Sequence, residues 1–239
     1  MMSTTENKPA SLVRFEKARA EHMAEMTAFN AVIADITRCE KERQAAIEAS
    51  KEAESMWRTN FRKLRGNLTD ELRAEHSQRI ASRELADEFA GLLKELELDK
   101  QYATLLCCTS GKEYVESHRE AFNDFADAHW QSALSNVSPS LVWAIKLRIR
   151  REELSPTFVG DDRNRIKDVA YLVGEALTQA AMALPESVLN EAPLLENIGL
   201  YRPALTGVDM DLYARPIRRQ KLAESIRAQR LKFKEGDQQ

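Results

Sequence analysis

Glycine and proline are scarce in this chain, with eight and seven respectively among 239 residues. Folds built from many short strands need both at their turns, so the scarcity points away from sandwiches and barrels and towards long helices. Aromatic residues make up only 7%. The three cysteines, Cys39, Cys107 and Cys108, are odd in number and lack metal-ligand spacing. They read as reduced thiols of a cytosolic protein. The longest apolar patch, "LVWAIKLRI", is too short and too charged to cross a bilayer. The polar start, "MMSTTENKPA", predicts no signal peptide. These absences together predict a soluble, intracellular protein.

Charge is abundant instead, at 31% of residues, with a net −3 that is unevenly spread. From Tyr213 to Gln239 there are eight Lys/Arg against three Asp/Glu, a local +5 that leaves −8 for the rest. From Leu12 to Leu64 a heptad frame runs without a break. Its a and d positions are Leu12, Phe15, Arg19, His22, Met26, Phe29, Ile33, Ile36, Glu40, Arg43, Ile47, Ser50, Glu54, Trp57, Phe61 and Leu64. A rod of that length spans roughly 80 Å at about 1.5 Å per residue. Its apolar stripe needs cover from the next helix or from a second chain. The polar members of the frame could fix register in a two-chain coiled coil, or mark a solvated helix that packs over part of its length.

"RGNLTDE" reads as a tight turn between two antiparallel helices. Gly66 supplies the positive φ of a C′ cap, Thr69 the next N-cap, and Trp57 and Phe61 pin the base. The second helix is expected from Asp70 to Cys107, ended by "TSGKE", with a third carrying Val115, His118, Phe122, Phe125 and His129 on one face. Ser138-Pro139 starts a short basic helix. The loop "LSPTFVGDD" leads to a fifth helix with a stripe of Ile166, Val169, Leu172, Val173, Leu177 and Leu184. Pro185 to Pro216 reads as an extended connector with one helical turn near Leu194–Asn197, and Pro216 opens a final basic helix. The fold class is therefore all-α: an elongated helical bundle with a long antiparallel hairpin and an extended C-terminal segment. The expected divisions are a disordered N-terminus (1–11), the hairpin (12–107), a helical bundle region (108–184), and the connector with its basic helix (185–239).

Catalytic signatures are missing. "SGKE" resembles the end of a phosphate-binding loop, but position 106 is Leu where that motif needs Gly, and position 113 is Glu where it needs Ser or Thr. None of His22, His76, His118 and His129 follows an acid by three residues, as a carboxylate-bridged di-metal bundle requires. His118 and His129 read as partly buried structural histidines, and the adjacent Cys107 and Cys108 as small buried residues. We expect no enzyme activity, no cofactor and no metal. The basic C-terminal helix suits an acidic protein surface better than nucleic acid, because Tyr213 and Phe233 are not interleaved as a base-stacking platform would need.

Several stretches resemble the Sid family, the capsid size determination proteins of P4-like satellite phages. They are "FEKARAEHM", "WRTNFRKLRGNLTDELRAEH" with "RIASRELADEF", and more weakly "LVWAIKLRI" and "LTGVDMDLYARP". The resemblance is strongest over residues 12–100 and keeps its order to about residue 220, while Pro156–Asp162 and Pro185–Leu205 depart from it. It implies an external scaffold: a cage on the outside of a procapsid that forces the helper phage major capsid protein into a smaller icosahedral shell. The implied partners are that capsid protein and further copies of this chain, with no membrane and no nucleic acid. The implied location is the host cytoplasm, on the outside of the procapsid. A helical inhibitor of transcription termination, or another nucleic-acid-associated regulator acting through the basic tail, is the alternative. Self-association is expected through Leu12, Phe15, Met26, Phe29, Ile33 and Ile36. The hairpin base is expected at Trp57, Phe61, Gly66 and Thr69, and the partner grip at Arg215, Arg218, Arg219, Lys221, Arg227 and Arg230.

Overall fold

The computed structural model describes residues 8–154 and 162–236, and among these every regular element is helical. Helix α1 spans Ala10–Lys63 and α2 spans Asp70–Ser135. They are followed by α3 (Pro139–Glu153) and α4 (Asp162–Ala183). A 3₁₀ turn (Glu186–Glu191) precedes α5 (Pro193–Ile198), α6 (Met210–Ala214) and α7 (Pro216–Gly236). The chain divides into two compact units that interleave in sequence. The hairpin unit takes Glu16–Tyr114 and everything from Ala204 onward; the central unit takes the residues through Phe15 together with Val115–Pro203.

In the hairpin unit α1 and α2 run antiparallel, and the turn between them shows why Lys63 ends a helix. The Arg65 N–H donates to the Arg62 carbonyl at 3.1 Å, and the Gly66 N–H donates to the Phe61 carbonyl at 3.0 Å. That pair is a Schellman cap. Its left-handed C′ residue is Arg65 (φ 51°), with Gly66 (φ 82°) one step later. The expectation of Gly66 at C′ is therefore corrected by one position. Thr69 caps α2 as expected, accepting from the Leu72 N–H at 3.3 Å.

The seam inside the hairpin also departs from the expected heptad frame, by one residue in one of its two series. His22, Phe29, Ile36, Ser50 and Trp57 do turn inward, wholly or partly. In the other series the deeper residue is, at five positions, the predecessor of the expected one. Ala18, Val32, Cys39, Ala46 and Ala53 lie further inside than Arg19, Ile33, Glu40, Ile47 and Glu54. Ala18, Cys39, Ala46 and Ala53 are fully buried and small, and Ser82 and Ala86 are their buried small counterparts on α2. Small side chains at a helix contact let the axes approach closely. The polar interruptions at Arg19 and Glu40 lie on the exposed flank of this seam.

The expected break at "TSGKE" does not occur, and α2 continues through it to Ser135. Gly111 is buried inside this helix, and a Cβ there would lie 3.3 Å from His22 and from Leu205. Its cost to helix propensity, about 1 kcal/mol against Ala, is offset by the room it leaves for those two side chains. It is a notch, not a stop.

The C-terminal segment is likewise not detached. Val208 is buried with Cys107 and Cys108, and Leu205, Leu212, Tyr213, Met26 and Phe29 pack around them. Ile226 of α7 is buried too, and the Arg230 guanidinium pairs with Asp99 at 2.7 Å and lies over the Tyr102 ring. In the central unit, Ser138 caps α3 through the Leu141 N–H, and Pro139 takes the first helical position, as expected. The helical turn expected near Leu194–Asn197 is α5. The expected loop falls on 155–161, which like the N-terminus through residue 7 lie outside the described residues, and Ala10 and Ser11 already belong to α1.

Candidate functional site

The six residues expected to join subunits are mostly used inside the chain. Leu12 and Phe15 are 2% and 1% exposed, and Phe15 meets the buried His118 edge-on. Met26 and Phe29 pack on the Cys107–Cys108–Val208 cluster, Ile36 is half-buried, and Ile33 alone of the six faces solvent. The stripe is covered by its own chain, so of the two covers the heptad frame allowed, the structure supplies the next helix.

At the hairpin base, Trp57 stacks on Phe61 at 5.2 Å and tilts against His76 at 5.4 Å, while the Arg79 guanidinium sits 4.8 Å above its ring. Trp57 is half-buried, and Phe61 and Gly66 are exposed. Asn60 Nδ2 donates to Glu75 Oε1 at 2.7 Å. Trp57 Nε1, Glu75 Oε2 and His76 Nδ1 are buried without a partner among the described residues. Deeper in the unit, His22 is buried with Nδ1 3.0 Å from Ser110 Oγ and its ring stacked on Tyr114. Burial pushes the His22 pKa down. Burial likewise raises the Cys107 thiol to about 11 and the Cys108 thiol upward, which leaves both protonated and unreactive. The two read as packing residues. Of the paired histidines, His118 is buried with Nε2 donating to the Gly199 carbonyl at 3.1 Å, whereas His129 is exposed beside Phe125.

Four of the six expected grip residues are engaged within the chain. Arg215 and Arg218 both pair with Asp211. Arg219 donates to the Leu212 and Tyr213 carbonyls, and Arg230 pairs with Asp99. Lys221 and Arg227 point to solvent with no ion pair among the described residues.

A surface that sequence reasoning did not assign lies in the central unit. Helix α3 buries nothing, and Val142, Trp143 (66% exposed) and Leu147 stand open on it. On α4, where Val169 is buried, Ile166, Tyr171 (69%), Leu172, Leu177 and Met182 (82%) are open, and Trp130 is open on α2. Water-exposed apolar side chains in this density mark surfaces that meet another molecule. The signal was present in the apolar stripes of both helices, but a stripe alone does not distinguish core from interface.

Among the described residues no group of His, Cys, Asp or Glu is placed to hold a metal ion, and no helix is long and apolar enough to cross a membrane. No protein-family model matches the chain. Glycoprotein 3 of Enterobacteria phage P4 is 27% identical over 227 residues, covering 94% of this chain and 93% of that protein. In a solved satellite phage P4 procapsid that includes the size determination (Sid) protein, a chain superposes with a TM-score of 0.74 at 25% identity. That match covers 94% of this chain and 96% of the other. Shared helical rods alone would not align nearly the whole of both chains from end to end, and the chain is accordingly a homologue of the phage P4 size determination protein.

Proposed function

We propose that this chain is an external scaffold that binds the outside of a procapsid and directs a helper phage's major capsid protein into a smaller icosahedral shell. The observation that carries the reading is the end-to-end likeness, in sequence and in fold, to a size determination protein found in a procapsid. It acts by binding and shape rather than by catalysis. The reading places it in the host cytoplasm, on the procapsid surface, with two kinds of contact: copy to copy and copy to shell. Each contact can be weak, because many repeats on one shell supply avidity.

The open apolar side chains of α3 and α4 support a role in copy-to-copy contact. Of the six expected grip residues in the basic tail, Lys221 and Arg227 are those still available to a partner. The nucleic-acid alternative loses three of the tail's eight cations, Arg215, Arg218 and Arg230, to internal pairs at Asp211 and Asp99. Co-expression with a helper major capsid protein, followed by electron microscopy of the shells, tests the function. Small shells are expected, and shells of the same diameter with and without the protein would overturn it. In the same assay Lys221→Glu with Arg227→Glu tests the tail alone.

A further inference from the structure

The hairpin tip has a composition unlike the rest of the chain. From Ser55 to Leu68 there are four cations, Arg58, Arg62, Lys63 and Arg65, and no acid. All four are exposed, interspersed with the exposed apolar side chains Met56, Phe61, Leu64 and Leu68. Arg58 reaches back to Glu54, but Arg62, Lys63 and Arg65 have no ion pair among the described residues. The Schellman cap needs none of these charges, since it is made by backbone groups. The tip therefore carries more positive charge and more open apolar surface than turning the chain requires.

The opposite pattern lies on α2 in the central unit. From Val115 to Asp127 there are four acids and one cation, Arg119, so this stretch is −3 where the tip is +4. Glu116, Glu120, Asp124 and Asp127 line one surface cleft with Arg14 and Arg119. Arg14 pairs with Glu120; Glu116, Asp124 and Asp127 are exposed with no ion pair among the described residues. Both patches are open to solvent.

We propose that the hairpin tip of one copy docks on the Glu116–Asp127 face of a second copy. Opposite charge on two separate surfaces of one chain is the complementarity that steers such a pairing, and it opposes tip-to-tip contact. The apolar side chains among the cations supply area that a purely ionic contact would lack. Made head to tail, a contact between two different surfaces of the same chain leaves one tip and one acidic face free on every pair, so it builds rings or open arrays. That is the connectivity an open cage needs. The inference rests on the scaffold reading for its purpose, but not for its test, which uses the purified full-length chain without any shell.

The tip variant is Arg62→Glu with Lys63→Glu, and the face variant is Glu116→Arg with Asp124→Arg. Sedimentation velocity is measured for each at low salt, with far-UV circular dichroism as the control for folding. The wild type should associate at about 50 mM salt and at least about tenfold less at about 500 mM, as screening shortens the reach of the charges. Each variant alone removes the complementarity, the tip falling from +4 to 0 or the face rising from −3 to +1, and should lose this salt-sensitive association. An equimolar mixture brings the unaltered +4 tip of the face variant to the unaltered −3 face of the tip variant and should recover it. Association of either variant alone at the wild-type level overturns the proposal. So does loss in the tip variant that the face variant does not restore, an outcome that assigns the tip to another protein or to nucleic acid. If the mixture recovers association yet shells keep one size on co-expression, the contact stands and the scaffold reading falls.

Discussion

The seam of α1 and the faces of α3 and α4 treat residue size in opposite ways. Between Ala18 and Ala53 the fully buried apolar positions of α1 are all small, Ala18, Cys39, Ala46 and Ala53, as are Ser82 and Ala86 on α2, and they disappear from solvent. In the central unit the helical faces carry large residues, Trp143, Tyr171, Leu177 and Met182, and these stay in water. Residue size alone would have ranked the second set as core. What decides is not whether a neighbouring helix is present, since α3 and α4 touch each other, but whether it covers the face: α3 buries none of its residues. The α1 seam is satisfied within the chain, whereas the open faces of α3 and α4 are left for something else, although their unit also buries Leu12, Phe15, Val169, Leu195 and Ile198.

The comparison can be broken first at the notch where the C-terminal segment docks. Gly207 holds φ 84°, and a Cβ there would meet Met26 Cε at 3.0 Å. Gly207→Ala combines left-handed strain with overpacking, so a loss of about 3 kcal/mol is expected in chemical denaturation, with faster proteolysis after residue 204. Next in size is the seam. Ala46→Leu should cost about 2 kcal/mol through overpacking, whereas Ile33→Leu on the exposed flank should leave the melting temperature unchanged.

A smaller effect sharpens the hairpin base. Trp57→Ala should cost about 1–2 kcal/mol, below the value for a fully buried ring, because the indole is only half-buried under Phe61 and Arg79. Trp57→Phe should cost less still, since it also removes the unpartnered Nε1. The pH dependence comes next. Burial lowers the His22 pKa, so the unfolded chain binds its proton more readily than the folded one. Stability is then present above the unfolded value of about 6.5 and falls as pH drops below it. A melting series from about pH 7.5 to about pH 5 should show this decline, and His22→Gln should flatten it. The smallest expected change is in the central unit: Trp143→Ser should shift stability by less than about 0.5 kcal/mol while reducing light-scattering mass. A large loss of stability there would erase the difference between the units.

The long helices, the hairpin and the caps at Thr69 and Ser138 were readable in the sequence, because each has a local chemical cause. Features that depend on distant residues were misplaced. Gly111 looks like a terminator until His22 and Leu205 are seen against it. The heptad frame chose Glu40 and Glu54 over Cys39 and Ala53 because large apolar residues dominate such frames, and small ones show their purpose only when a neighbour is close. The basic tail looked free because Asp99 and Asp211 are remote or inconspicuous in sequence. The open residues of α3 and α4 were visible as stripes, without a way to tell what covers them.

The interleaving of the two units also orders events during synthesis. The hairpin can zip once α2 has left the ribosome, but Leu205, Val208 and Ile226 belong to the same unit and arrive only after the whole of 115–203. Until then the face made by Met26, Phe29, Cys107 and Cys108 is uncovered, and nascent chains on one messenger would present it to each other. Leu205, Val208 and Ile226 therefore act as a release step: only a chain translated past them hides its inner surface and offers its neighbours the outer ones alone.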